Sequence, residues 1–120
     1  MGTTKVTIRV SNVDKPSTGI TLSDVIVDTG ATISVIPERV ARSLNIKFPI
    51  TRKFELADGS SVIKPVGAAL IKLDGRSTID EVTTVRKGSS LLGVTVLEKM
   101  GYEVNPKTGK LHKLDAALLL

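Results

Sequence analysis

At 120 residues the chain has room for one compact domain and not for two. The absence of cysteine excludes disulfides, thiolate metal sites and a cysteine nucleophile. A net charge of +5 permits attraction to polyanions, but Lys and Arg are scattered without stacking aromatics between them, so nucleic acid is not expected as a main partner.

The aromatics are Phe48, Phe54 and Tyr102, so the core must be aliphatic and rich in β-branched side chains, which favours strands. The N-terminus shows no apolar signal core, and the longest apolar run, residues 116–120, is far below the roughly 20 residues that span a bilayer. A cytoplasmic protein with no membrane partner is expected.

Val6, Ile8 and Val10 alternate with Lys5, Thr7 and Arg9, the period of a half-buried strand. Residues 12–19 contain Asp14, Pro16 and Ser17 and are expected to turn, after which Ile20, Leu22, Val25, Ile26 and Val27 resume extended structure. The first two strands should therefore pair as a hairpin that delivers Asp28. From Pro37 to Asn45 the chain reads as a short helix, with Pro37 at the first helical position, Glu38 in the first turn and Asn45 as a left-handed cap. Val40 and Leu44 would then pack on the sheet while Arg39 and Arg42 face water.

Two hairpins follow, turning at Asp58-Gly59 and at Asp74-Gly75, dipeptides that tolerate the positive φ of a tight turn. Residues 94–100 fit one or two helical turns stopped by Gly101, and short extended segments flank a turn over 105–109. Short strands, frequent turns and two minor helices predict a mainly β fold, a closed or nearly closed antiparallel β-barrel, as a single domain over residues 1–120. The apolar tail at 116–120 is expected to pack at a dimer seam, since three exposed leucines in a row are costly.

The informative stretch is Val25-Ile26-Val27-Asp28-Thr29-Gly30-Ala31-Thr32-Ile33-Ser34-Val35-Ile36. Asp-Thr-Gly by itself is a plain turn in most chains. Here aliphatic residues flank it on both sides and should draw the carboxylate toward a core, and a buried carboxylate must be paired, hydrogen-bonded or functional. Asp58 and Asp74, each followed by Gly, are explained by their turns. His112 stands alone, without Cys or a second His, so no metal or other cofactor is expected.

Peptide hydrolysis without metal, Ser or Cys calls for two carboxylates a few ångströms apart, which cannot both ionise cheaply. One then activates water as a base while the other, protonated, polarises the scissile carbonyl. The chain offers a single such Asp, and a twofold axis would supply its copy. Gly30 would allow close backbone approach, and the Thr29 hydroxyl could bond across a symmetric interface.

The segment Asp28-Thr29-Gly30-Ala31, the later Asp58-Gly59 hairpin, and Leu91-Leu92-Gly93 before a short helix together resemble the retropepsin-like aspartic peptidases, in order and in spacing. The likeness runs roughly from Val6 to Leu114 and is strongest over Val27 to Ser34. It implies a homodimeric endopeptidase with Asp28 catalytic, Thr29, Gly30 and Ala31 supporting the active-site loop, and Leu91, Leu92 and Gly93 threading beside it. It also implies that Ala57, Asp58, Gly59 and Ser60 belong to a flap over a bound peptide or protein substrate. Two features depart from retroviral members: Val94-Thr95-Val96-Leu97 stands where they carry a polar segment with Arg, and the flap tip is charged. The other function weighed is a basic β-sheet dimer of the same fold that binds peptide, protein or nucleic acid without catalysis.

Overall fold

In the computed structural model residues 3–115 are described, and the tail expected at a dimer seam lies outside them. Strand β1 (Lys5–Asn12) buries Ile8 and Val10 and pairs antiparallel with β2 (Lys15–Asp28), so the expected hairpin forms. The turn between them is much tighter than the eight residues expected from composition. The Asn12 Oδ1 accepts the Asp14 N–H at 2.8 Å, and the Arg9 guanidinium donates to the carbonyls of Pro16 (3.0 Å) and Ser17 (2.9 Å), which holds this stretch extended. Pro16 falls inside a register shift, where it costs no ladder hydrogen bond.

Next come β3 (Ser34–Pro37) and α1 (Glu38–Ser43). Pro37 is extended, with φ −62° and ψ 139°, so it caps the helix and does not occupy its first turn as expected. Asn45 is the left-handed residue past the helix end, with φ 54°, and Val40 and Leu44 are buried while Arg39 and Arg42 are exposed. Strands β4 (Ile50–Glu55), β5 (Ser61–Leu73) and β6 (Arg76–Val85) form the two hairpins. Their turns differ. At Asp74-Gly75 both residues have positive φ, 49° and 83°, whereas at Asp58-Gly59 the glycine alone does, at 88°.

The chain closes with β7 (Leu91–Gly93), α2 (Val94–Met100), β8 (Tyr102–Val104) and β9 (Leu111–Lys113), and Gly101 ends α2 in the left-handed region. The main sheet has the order β1-β2-β7-β3-β6-β5-β4, and a further β1–β5 pairing joins its two sides into a ring of hydrogen-bonded strands. The fold is mainly β, as the sequence pattern indicates. The expectation of antiparallel pairing throughout fails at two places: β2–β7 and β3–β6 are parallel. The reason is topological. Strands β2 and β3 are the two arms of the Asp28 loop, and β7 returns late in the chain to lie between them, parallel to one and antiparallel to the other.

The core inside this ring is aliphatic: Val10, Val25, Ile36, Ile71, Val82, Leu92, Val96 and Leu97 are almost wholly buried. Tyr102 is buried beside them, and its hydroxyl donates to the Leu73 carbonyl at 3.0 Å. Arg76 closes the lower end. Its guanidinium donates to the carbonyls of Met100 (3.0 Å), Gly101 (2.9 Å) and Leu114 (2.7 Å) and lies 5.3 Å from the Tyr102 ring centroid. The Met100 and Gly101 carbonyls lie at the C-terminal end of α2, where they have no helical partners, and that of Leu114 follows β9. Arg76→Ala should cost about 1.5–3 kcal/mol in urea denaturation, the range for hydrogen bonds from a charged donor, and Arg76→Lys should recover only part of it.

Candidate active site

Asp28 is the last residue of β2, and that strand is held from both sides. The Ile26 N–H donates to Ser90 at 3.0 Å and the Val27 N–H to Thr4 at 2.9 Å, while Ile26, Val27 and Asp28 stand opposite Leu91, Leu92 and Gly93. Val25 is fully buried, but Asp28 is only half-buried and Thr29 and Gly30 are exposed. The aliphatic flanks thus anchor the strand without enclosing the carboxylate within one chain.

The loop is folded on itself and on β7. The Gly30 N–H donates to Asp28 Oδ1 at 3.0 Å, and the Ala31 N–H donates to the Asp28 carbonyl at 3.1 Å. A Cβ on Gly30 would stand 3.3 Å from that same carboxylate oxygen, a tight contact that glycine avoids. From the other side the Val94 N–H donates to the Ala31 carbonyl at 2.8 Å and the Gly93 N–H to Ser34 Oγ at 2.9 Å. Leu91, Leu92 and Gly93 therefore lie directly against the loop. Ala31 is half-buried in the contact.

Ala57, Asp58, Gly59 and Ser60 form the exposed tip of the β4–β5 hairpin. Between the hairpin and the loop runs a groove of about 490 Å³. It is lined by Gly30, Ala31, Thr32 and Ile33 of the loop, by Phe54, Leu56 and Val62 of the hairpin, and by Val35, Val85 and Leu91 of β3, β6 and β7. Phe54 and Val62 face each other across the strands, and Leu56 is 47% exposed, so apolar surface is held open toward solvent. That surface suits an apolar side chain of a ligand.

The hairpin is tied by two carboxylates. Asp58 Oδ1 accepts both the Ser60 N–H (2.9 Å) and the Ser60 hydroxyl (2.5 Å), which holds the Asp58 carboxyl below its ordinary range. Farther down, Arg52 pairs with Glu81 through two hydrogen bonds, 2.8 and 3.0 Å, and these hold the Glu81 carboxyl low as well. Because both folded-state values are depressed, both contacts contribute above the ordinary carboxylate range and are lost as pH falls through the lowered values. The side chains are largely exposed, so the effect on global stability is small and salt-sensitive. It should appear locally: as pH falls from about 6 to about 2, through the lowered Asp58 value, Ser60 amide protection drops in wild type, and Asp58→Asn, which lacks the titration, shows no such step.

Three residues near the loop escape sequence reasoning: Ser34, Asp80 and Thr95. Ser34 is buried and accepts the Gly93 amide. Asp80 had a usable signal, for it is in phase with Val82 and Thr84 along β6, both buried, so the period of two points it inward.

A family model described as gag-polyprotein putative aspartyl protease matches residues 21–99. The match begins in β2 and ends in α2, so it takes in the Asp28 loop, the hairpin and β7. Among solved structures, the simian foamy virus (mac) protease is similar with a TM-score of 0.57 and 20% identity, over 78% of this chain and 91% of that one. EIAV protease, solved with an inhibitor, is similar with a TM-score of 0.57 and 19% identity, over 87% of this chain and 93% of that one. At such identities the two structures speak for the fold. No curated protein matches the chain.

Proposed function

The chain belongs to the gag-polyprotein aspartyl protease family and is an aspartic endopeptidase, and on that premise we propose that its active unit is a homodimer with the two Asp28 carboxylates meeting on the twofold axis. The observation that carries this reading is Asp28 itself. It stands at the open end of a firmly held loop, beside an apolar groove, as one carboxylate where the chemistry needs two. An isologous contact through the exposed Thr29 and Gly30 would bring its copy to it and cover the half of Asp28 that one chain leaves open.

In that dimer the pair holds one proton between two carboxylates, because ionising both at close range is costly. The ionised Asp28 takes a proton from a water molecule held between them as its oxygen attacks the scissile carbonyl carbon. The protonated Asp28 gives its proton to the carbonyl oxygen. Collapse of the tetrahedral intermediate restores a carbonyl, breaks the C–N bond and sends a proton to the leaving amine. Activity then falls on the alkaline side, where the second carboxyl loses the shared proton. The Gly30 amide, 3.0 Å from Asp28 Oδ1, orients the carboxylate.

The substrate in this reading is a peptide or protein segment bound extended, as an added strand between the loop and the β4–β5 hairpin. The apolar walls favour an aliphatic or aromatic side chain in the groove. The test is digestion of a mixed peptide library from acidic to neutral pH, with sedimentation velocity run on the same samples. Cleavage next to apolar residues by a dimeric species supports the reading. A protein that is dimeric and binds peptides but cleaves none, over the whole pH range, would overturn it in favour of a binding module.

A further inference from the structure

Asp80 is a carboxylate inside the protein, with 8% of its surface exposed, on the inward register of β6. Its Oδ1 accepts the Glu81 N–H at 2.9 Å and the Lys99 ammonium at 3.1 Å, and its Oδ2 accepts the Thr95 hydroxyl at 2.5 Å. The same hydroxyl lies 2.9 Å from the carbonyl oxygen of Thr32, four residues beyond Asp28 in the loop. Lys99 is anchored in turn on the Ile79 carbonyl at 3.2 Å. A buried carboxylate, even a paired one, adds little to stability that an apolar residue of similar size could not. What this one does is fix a hydroxyl against the active-site loop.

The rest of the loop defines what that contact adds. Backbone and Ser34 bonds secure Ala31 and Ser34 to β7 and α2, and the Thr95 hydroxyl is the side-chain contact that secures Thr32 between them. With Oδ2 of Asp80 at 2.5 Å on one side and the Thr32 carbonyl at 2.9 Å on the other, the hydroxyl shares its one proton between two acceptors and is held at a fixed place between them.

We infer that Thr95 and Asp80 are positioning residues for the reaction: Asp80 holds the Thr95 hydroxyl, which holds the Thr32 carbonyl, and this chain sets the direction of the Gly30 amide and of the Asp28 carboxylate. The inference rests on the reading of Asp28 as catalytic, and it ties the reaction to β6 and α2, elements that contribute no group to the chemistry.

The deciding variants are Thr95→Val, which keeps the shape and removes the hydroxyl, and Thr95→Ser, which restores it. In Thr95→Val, kcat per folded dimer should fall between about ten- and a hundredfold, the scale of a displacement of about an ångström, while KM stays within about twofold. Thr95→Ser should recover most of kcat. A purely structural role would lower the folded fraction and leave kcat per folded dimer alone. Amide exchange at Gly30 and Ala31, read by NMR, gives a second measure free of activity, and it should be faster in Thr95→Val and return in Thr95→Ser. Unchanged kcat together with unchanged exchange in folded Thr95→Val overturns the inference, as does a failure of Thr95→Ser to restore either. If wild type cleaves nothing, the catalytic reading of Asp28 falls, and the exchange rates still decide whether Thr95 holds the loop. Should Thr95→Val not fold, Thr95→Ala, which also lacks the hydroxyl, is read by the same two measures with the same outcomes.

Discussion

Asp28→Asn should lose cleavage by a factor of about 10²–10⁴, the scale of general acid–base catalysis, while remaining a folded dimer. Asparagine has the size of aspartate, and its side-chain oxygen can still accept the Gly30 N–H now donated to Asp28 Oδ1, so the loop keeps its internal bond. Stability should therefore change little, because the contact that Asp28 makes within its own chain is retained. What the substitution removes is the shared proton, since a pair of amides can neither take a proton from water nor give one to a carbonyl. Activity and stability are thereby separated in one variant, measured by peptide cleavage and by urea denaturation of the same preparation.

The same variant also tests where the second carboxylate comes from. When wild type and Asp28→Asn are mixed in equal amounts and allowed to exchange subunits, about a quarter of the dimers carry two intact Asp28 residues by random pairing. Activity per wild-type chain should then fall to about half. If instead activity per wild-type chain stays constant at every mixing ratio, each chain works alone and the dimeric mechanism fails.

The sequence made the strands legible where one face is buried and the other wet. Ile8 and Val10 announce β1 by alternation, and Asp58-Gly59 and Asp74-Gly75 announce their turns by the backbone angles they permit. The turn after Asn12 was overestimated because composition cannot show that Arg9 reaches across and holds residues 16 and 17 extended. The parallel pairings were hidden for a related reason. Nothing within three residues, Leu91, Leu92 and Gly93, states that they return between two strands formed more than fifty residues earlier. At the site, the Asp28 loop could be read from its own residues, since glycine, small hydroxyls and aliphatic flanks are local requirements. Its support by Asp80 and Thr95 could not, because that contact joins residues 15 apart on a strand and a helix and then reaches 63 positions back to Thr32.

Gly93→Ala should damage both stability and turnover, and its pattern separates close packing at the site from packing elsewhere. A Cβ at position 93 would stand 2.9 Å from the carbonyl carbon and oxygen of Ile33 and 3.1 Å from the Ala31 carbonyl oxygen. All of these are backbone atoms, so no rotamer change relieves the overlap. The Gly93 backbone has φ −80° and ψ 166°, which any residue adopts, so the cost is contact and not conformation. Overpacking of this kind costs about 1–3 kcal/mol, and relief requires either β7 to part from β2 opposite Asp28 or the loop to move away from β7. Both displace the carboxylate, so kcat per folded dimer should fall by up to about a hundredfold. Gly67→Ala is the control. There the new Cβ would lie 2.1 Å from the Lys47 carbonyl oxygen, a harsher clash, in a part of β5 that borders neither the Asp28 loop nor the groove. It should unfold at lower urea than Gly93→Ala and yet keep wild-type kcat per folded dimer. If Gly93→Ala instead loses stability with kcat intact, the fit of β7 against the loop serves the fold alone.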